Sequence, residues 1–484
     1  MKITFLIPPT FNKERPAERT AGCTTVVYPM VNIYELTIAA MMEEEGYQVF
    51  YEDFISTKRD VQRLKRFLQE DGSDIYIFWS VNLSIKNDVE ASRLIQEYIP
   101  DASIVYLGPA PTFYPKEFLQ CPLKQIVVRG EPDVTIKEIC RRIALKETYG
   151  ELKGISYLTP EGEIKNNPPR ALLRELDSLP FPARHLVDKH FFSNPKLKCS
   201  PYTAMITSRN CPFQCIYCVP SSLTFARELE NKAATGKKPH VSMRSPENVV
   251  KEIELLASEG YKAIGFLDDN FITTVNRLRI IAAALQRNGI VWGCQARADA
   301  ITEEIARLLS QSGCMYVDLG VESFNDEILK YIKKNLTRKQ IIDAIILLKQ
   351  YKIPVKLNIL IGTSPLETKA TIKETVKTAI QLKVDQVMIN IVAPFPGTEF
   401  YSLAKQNNWI VGGKYVPTDV QHHSILSYPN LTNREMERLL FWYNIRFFIR
   451  PRFIFSQMRR FSSFSEFWKS CKALRNKLTS SKKQ

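Results

Sequence analysis

Along residues 1–150, short apolar runs alternate with longer amphipathic ones. Runs at 2–7, 48–52, 75–79, 103–107 and 125–128 are rich in β-branched and aromatic residues and predict strands. Apolar positions at three- and four-residue spacing between them predict helices over 31–45, 58–70, 86–98 and 133–148, with a short one near 116–119. Five βα units predict a doubly wound parallel sheet, whose ligands sit at the carboxyl ends of the strands. The loops 8–25, 80–83, 108–113 and 130–132 are therefore the candidate rim of a cofactor site. Residues 154–165 predict a hairpin turning at 160–162, and Pro168, Pro169, Pro180 and Pro182 mark an extended linker. A second series follows, with strands over 203–207, 263–267, 290–295, 315–320, 355–361 and 386–391. Its helices are expected at 246–258, 275–288, 302–311, 338–350 and 366–382. Six strands in this rhythm predict a partial (β/α)6 barrel of the TIM type, so the fold class is α/β with two parallel-strand regions and a helical tail. The expected boundaries are 1–150, 151–199, 200–405 and 406–484.

Charge sharpens the last of these boundaries. The 484 residues carry a net charge of +15, and from Arg446 to Gln484 eleven Lys and Arg face one acid. Residues 441–468 hold eleven aromatics interleaved with Arg446, Arg450, Arg452, Arg459 and Arg460, and Pro451 interrupts the helical pattern. Met458, Phe461, Phe464, Trp468 and Cys471 form an apolar stripe at helical spacing. Such a tail suits packing on the barrel, contact with a membrane surface or lipophilic substrate, or binding of RNA. The opening apolar run is cut by Pro8 and Pro9, and no stretch is long and apolar enough to span a bilayer. The expected location is cytoplasmic, peripheral to the membrane if the tail binds lipid. A reducing compartment would keep the ten cysteines as thiols or metal ligands.

The chemistry concentrates after the first strand of the second series, in SRNCPFQCIYCVPS. Cys211, Cys215 and Cys218 form CxxxCxxC, three thiols on one short loop at the carboxyl end of a strand. A 4Fe–4S cluster held by three cysteines keeps one iron open, whereas electron-transfer clusters take four. A zinc site and plain buried thiols are the other readings of the same residues, although His185, His190 and His240 lie outside the motif.

This loop, with Tyr217 just before the last cysteine, resembles the signature of the radical S-adenosylmethionine (SAM) superfamily. The resemblance implies a cluster that binds SAM and cleaves it to a 5′-deoxyadenosyl radical. Further strand ends resemble family motifs: Phe266-Leu267-Asp268-Asp269-Asn270-Phe271, Ala296-Arg297-Ala298-Asp299, Gly320-Val321-Glu322-Ser323 followed by Lys333-Lys334, Ile361-Gly362-Thr363-Ser364, and Pro394-Phe395-Pro396-Gly397-Thr398. Thr363-Ser364 departs from the usual Pro-Gly. By resemblance, Tyr217, Asp268, Arg297, Glu322, Ser323, Gly362 and Pro396 line the SAM site. Taken singly, a strand-end carboxylate such as Asp268 is more often a loop cap.

A doubly wound domain ahead of such a barrel resembles the cobalamin-binding radical SAM class, which includes the anaerobic magnesium-protoporphyrin cyclase and hopanoid-modifying enzymes. Gly108-Pro109-Ala110-Pro111-Thr112, Val128-Arg129-Gly130-Glu131-Pro132 and the linker 176–184 carry this likeness. It implies cobalamin at Ser80, Gly108, Gly130 and Glu131. No histidine occurs before His185, so cobalamin would bind without a protein imidazole below the cobalt; otherwise the domain is a scaffold. The implied reaction is methylation of an unactivated carbon on an apolar substrate, with a reductant such as flavodoxin or ferredoxin. Without cobalamin, the expectation is oxidative cyclisation or rearrangement of a lipid or tetrapyrrole. The rivals are a non-catalytic Fe–S protein binding RNA through its tail, and a methylthiotransferase acting on tRNA. Against the second, only Cys23, Cys121 and Cys140 lie in the first domain, so nucleic acid is not the expected partner. Cys294 and Cys314, in or beside barrel strands, are core residues or hydrogen-atom donors, and His422-His423, in a loop after the barrel, is a capping or surface pair or lines the substrate mouth.

Overall fold

A computed structural model of the chain describes residues 1–11, 15–26, 28–120, 124–448 and 450. The apolar stripe of the tail, Cys121 and Cys471 lie outside them. The chain divides into two compact units. The first comprises Met1–Pro212, Val219–Phe271 and Arg279–Trp292; the second comprises Phe213–Cys218, Ile272–Leu278 and Gly293–Gln484.

The first unit opens with β1 (Lys2–Ile7), α1 (Ile33–Glu44), β2 (Gln48–Asp53), α2 (Val61–Glu70), β3 (Ile75–Trp79) and α3 (Ile85–Tyr98). It continues through β4 (Ser103–Leu107), α4 (Pro109–Phe113), α5 (Pro115–Phe118), β5 (Gln125–Val128) and α6 (Asp133–Ala144). Strands β3, β4 and β5 are buried along their whole length, as strands covered on both faces must be. Leu6, Tyr76, Phe78, Ile104, Tyr106 and Val127 pack with α2, α3 and α5 in one core, and α1 packs beside α6. The hairpin is present as β6 (Ile155–Leu158) and β7 (Ile164–Asn166). Rather than serving only as a connector, it pairs antiparallel with β5 and extends the sheet to the order β2-β1-β3-β4-β5-β6-β7. The physical reason is that β5, buried along its whole length, would otherwise present an open edge.

The rest of the first unit holds β8 (Tyr202–Met205), β9 (Ser208–Arg209), α7 (Ser222–Thr235), β10 (Ser242–Met243), α8 (Pro246–Ser258) and β11 (Ala263–Phe266), with α9 (Val275–Arg287) running between the units' segments. Strands β8 and β11 are parallel, and β9 pairs antiparallel with β10. Helix α7 and the β9–β10 ribbon have no counterpart in the pattern reading. The first eight residues of α7 are all buried, Arg227 and Glu228 included, so no polar stripe announces the helix.

In the second unit β12 (Val291–Ala296), α10 (Glu303–Gln311), β13 (Cys314–Glu322), α11 (Asp326–Tyr331), α12 (Arg338–Gln350), β14 (Val355–Ile361), α13 (Lys369–Gln381), β15 (Gln386–Ile391), α14 (Glu399–Gln406) and α15 (Asn433–Phe448) follow. The strands run in the order β12-β13-β14-β15, with β13, β14 and β15 parallel. Thr302, Thr337, Thr368 and Thr398 cap four of the helices, each accepting a backbone N–H two or three residues into its helix. Among the described residues no helix is long and apolar enough to cross a membrane.

Candidate functional site

In the second unit the register of β13 against β14 shifts between Gly320 and Glu322, and Glu322 adopts φ +64°. A non-glycine residue in the left-handed region costs about 1–3 kcal/mol and persists only where its surroundings hold it. Here the holder is Lys334, whose Nζ donates to Glu322 Oε1 at 2.9 Å and lies 3.5 Å from Tyr217 Oη. All three side chains are buried. Burial works to lower the Lys334 ammonium, but the Glu322 carboxylate, by charge and hydrogen bond, holds it above its ordinary value. Burial, then Glu322, Cys215 and Cys218, push the Tyr217 phenol well above its usual range, so it stays a neutral donor. A Cβ on Gly320 would stand 3.0 Å from both Glu322 Oε1 and Lys334 Nζ, so a larger residue there would crowd the ends of both side chains.

Arg297 completes the group. It pairs with Asp299 at 3.0 Å, donates to the Lys334 carbonyl at 2.9 Å, and its guanidinium lies 3.4 Å from the centre of the Phe213 ring, inside the CxxxCxxC loop. The loop is tied into this unit by Ile216 N–H to the Ile332 carbonyl at 3.2 Å and by Phe400 N–H to the Ile216 carbonyl at 3.0 Å. Cys211, Cys215 and Cys218 are in no disulfide and are half-buried. Among the described residues, no three His, Cys, Asp or Glu side chains are grouped as a single metal ion would need.

Three expected site residues have other neighbours. The Ser323 hydroxyl lies 3.3 Å from Thr375 Oγ1 on α13 and accepts Asn325 N–H at 3.2 Å. Gly362, at φ +84°, donates its N–H to Glu367 at 2.9 Å, and its carbonyl accepts Tyr428 Oη at 2.6 Å; a Cβ there would meet Met436 Sδ on α15 at 2.6 Å. Pro396 is buried in the turn that leads to the Thr398 cap of α14. Lys334 is the residue that the expected site set omitted. The Lys333-Lys334 pair was visible in the sequence, but only the fold tells that Lys333 turns out to Glu399 while Lys334 turns in.

In the first unit Asp268 accepts Thr207 N–H at 3.1 Å, its hydroxyl at 2.7 Å and the Ser208 hydroxyl at 2.5 Å, the arrangement of a buried loop cap. The four residues named for cobalamin are each engaged by the chain itself. Ser80 donates to Asp88 at 2.6 Å, and Asp88 is paired with Arg19 at 2.6 Å. A Cβ on Gly108, at φ +103°, would stand 2.6 Å from the Ser80 carbonyl, and one on Gly130 would meet Glu230 of α7 at 2.9 Å. Glu131 binds Arg209, pairs with Arg227 at 3.0 Å and accepts Leu173 N–H at 2.6 Å. Uncommitted polar atoms lie elsewhere on this rim. Tyr34 Oη, Glu35 Oε1, Ser221 Oγ and Asp269 Oδ2 are buried without a hydrogen-bond partner. Tyr34 stacks at 5.2 Å on Trp79, the last residue of β3, which places this group by β1 and β3, where the strand order reverses. Asp269 is raised to about 6, by burial first. Elsewhere, Cys294 and Cys314 are buried, and burial pushes the Cys314 thiol up to about 12. His422 sits 3.3 Å from Asp419, part-buried beside His423.

Comparison with known proteins agrees with this geometry. Residues 205–393 match the radical SAM superfamily. Over 461 residues the chain is 28% identical to an uncharacterized methyltransferase of Pyrococcus horikoshii, covering 93% of each. It is 24% identical to the anaerobic magnesium-protoporphyrin IX monomethyl ester cyclase of Cereibacter sphaeroides, covering 75% of this chain and 58% of that one. The radical SAM methyltransferase TsrM of Kitasatospora setae, solved with cobalamin and a [4Fe-4S] cluster bound, superposes with a TM-score of 0.64 at 17% identity, over 84% of this chain and 75% of that one. The matched stretch takes in the three-cysteine loop and the strand ends from Phe266 to Ser364, so these residues carry the chain's similarity to the radical SAM superfamily.

Proposed function

We propose that the chain is a cobalamin-dependent radical SAM methyltransferase that acts on an unactivated carbon of an apolar small molecule. The observation that carries the reading is the buried set Tyr217, Arg297, Glu322 and Lys334 packed around the loop of Cys215 and Cys218. Cys211, Cys215 and Cys218 would hold a 4Fe–4S cluster with one iron open. Glu322 and Arg297 would offer opposite charges to the ammonium and carboxylate of SAM, and Tyr217 would flank the adenine. Ser323, Gly362 and Pro396 would shape the loops of this unit, and Asp268 a loop of the first. In the first unit the uncommitted atoms of Tyr34, Glu35, Ser221 and Asp269 suit the carboxamide edge of cobalamin better than Ser80, Gly108, Gly130 and Glu131, which have partners already. When bound, these cofactors supply a deoxyadenosyl radical and a transferable methyl group. The chain's own residues position SAM, keep a neutral phenol beside the thiols and exclude water from a buried corner. A methyltransferase related along nearly its whole length, and a structural neighbour solved with both cofactors, support this reading. The finer expectations go with it: six strands forming a partial barrel, a flavodoxin- or ferredoxin-type reductant, and peripheral membrane contact by the basic tail.

The test is anaerobic. The cluster is reconstituted, cobalamin, SAM and a strong reductant are supplied, and the cobalamin spectrum is recorded with 5′-deoxyadenosine and S-adenosylhomocysteine. Stoichiometric cobalamin and both products are expected. Deoxyadenosine without bound cobalamin would remove the methyl-transfer step, and an intact cluster that leaves SAM uncut would overturn the enzyme reading.

A further inference from the structure

The stem of the cysteine loop enters the first unit through an ion-pair cluster that the proposed chemistry does not use. Arg209, two residues before Cys211, lies in the β9–β10 ribbon and is buried. Its guanidinium binds Glu131, at the end of β5, and both oxygens of Asp133, the first residue of α6, at 2.7 and 3.0 Å. Glu131 also pairs with Arg227 of α7 at 3.0 Å. Arg227 in turn donates to Asn210 Oδ1 at 2.5 Å and to Ser242 at 3.2 Å, on the strand opposite Arg209. Asn210 itself stands at φ +73° and donates its N–H to Thr224 Oγ1 at 3.2 Å. Two carboxylates and two guanidiniums balance in a place closed to water. A plain cap would need one hydrogen bond; this cluster fastens both flanks of one dipeptide to three separate elements.

We propose that Glu131, Asp133 and Arg209 are positioning residues, which fix the stem of the CxxxCxxC loop onto the first sheet and thereby set the environment of the cluster. This rests on the reading of Cys211, Cys215 and Cys218 as cluster ligands. The buried fork of Arg209 matches a carboxylate in two parallel hydrogen bonds, which fixes direction as well as distance. A partner lost from a buried pair leaves an uncompensated charge, so the stem would open locally before the sheet does.

The test uses the full chain with Glu131→Gln and Asp133→Asn combined, and Arg209→Lys as a second variant that keeps the charge but not the fork. Hydrogen exchange by mass spectrometry is followed over 206–212, with α3 as the internal reference. The reduced cluster is examined by electron paramagnetic resonance with and without SAM. We expect exchange over 206–212 to rise about tenfold in the double variant and less in Arg209→Lys, with α3 unchanged. The SAM-induced change of the resonance should weaken in the same order, an effect that loss of stability alone would not produce. Exchange that stays at the wild-type rate, or that rises equally in α3, overturns the proposal, as does an unaltered resonance. A wild-type chain that takes up no iron overturns the cluster reading instead, and the exchange comparison then still decides whether the anchor holds the stem.

Discussion

The strand ends of the two units are both rich in buried charge, and they use it differently. In the first unit Arg19, Asp88, Glu131, Asp133, Arg209 and Arg227 have their partners in other elements of the chain, so the charges fasten loops. In the second, Glu322 at the end of β13 and Lys334 just beyond α11 face one another, with Glu322 in a left-handed conformation that its own sequence does not favour. A charge that joins distant segments reads as an anchor. A pair held against backbone preference, next to a phenol and a thiol, reads as a binding corner. The burial is alike; the partners separate the two roles.

The comparison is broken most completely at the cysteines. Replacing Cys211, Cys215 or Cys218 by Ala should abolish iron retention and deoxyadenosine formation while leaving the far-ultraviolet circular dichroism unchanged, because none of the three thiols is part of the core. Iron bound at the wild-type ratio in any of them would remove that residue from the ligand set. Next comes the binding corner. Lys334→Met leaves Glu322 charged and unpaired in a buried place and should cost about 3–5 kcal/mol of stability by urea unfolding. Adding Glu322→Gln should recover a good part of that loss without restoring SAM binding. A double variant no more stable than Lys334→Met would mean that the two side chains are not coupled.

Glycines sharpen the same contrast. Gly108→Ala forces a Cβ to within 2.6 Å of a backbone oxygen at φ +103°, and the sheet cannot yield there, so a loss of about 3 kcal/mol or more is expected. Gly362→Ala meets Met436 Sδ at the same 2.6 Å, but a thioether can swing aside. Its cost should stay near the 1–2 kcal/mol of the left-handed backbone alone. Equal losses in the two variants would show that Met436 is as fixed as the main chain.

How far these differences could be read in advance depended on the kind of signal. The strands 2–7, 75–79, 103–107, 125–128, 355–361 and 386–391 coincide with their predicted bounds: the first four are runs buried almost throughout, and the last two alternate buried and half-buried positions with the period of a strand. The three cysteines and the strand-end motifs were legible because short spacing survives without any tertiary knowledge. Helix α7 was not, since its buried Arg227 and Glu228 are polar by composition and find partners, such as Glu131 for Arg227 and Asn210 for Glu228, in other elements. The same ignorance of partners hid that Glu131, expected at a ligand, is paired with Arg209, and it passed over the pairing of Lys334 with Glu322. Pattern reading tells which residues are apolar; it cannot tell which charges have met.

Glu35, on α1 in the first unit, offers the finest test of how a charge fares when its partners are too few. Burial raises its carboxyl to about 8; Arg19 and the hydroxyl of Tyr51, at 2.9 Å, oppose this without cancelling it, and Asp53 adds to it. The ordinary value, 4.5, applies to the unfolded chain. Between 4.5 and about 8 the folded state therefore binds more proton than the unfolded one, so stability falls as pH rises and levels off above about 8. The slope for this one group is about 1.4 kcal/mol per pH unit. Glu35→Gln keeps an acceptor for Tyr51 and carries no proton to lose. Its unfolding midpoint in urea should gain on the wild type between pH 6 and pH 8 by roughly that slope. Parallel curves would mean that Glu35 is ionised in the fold and has found, in Arg19, the full partner that Glu322 finds in Lys334.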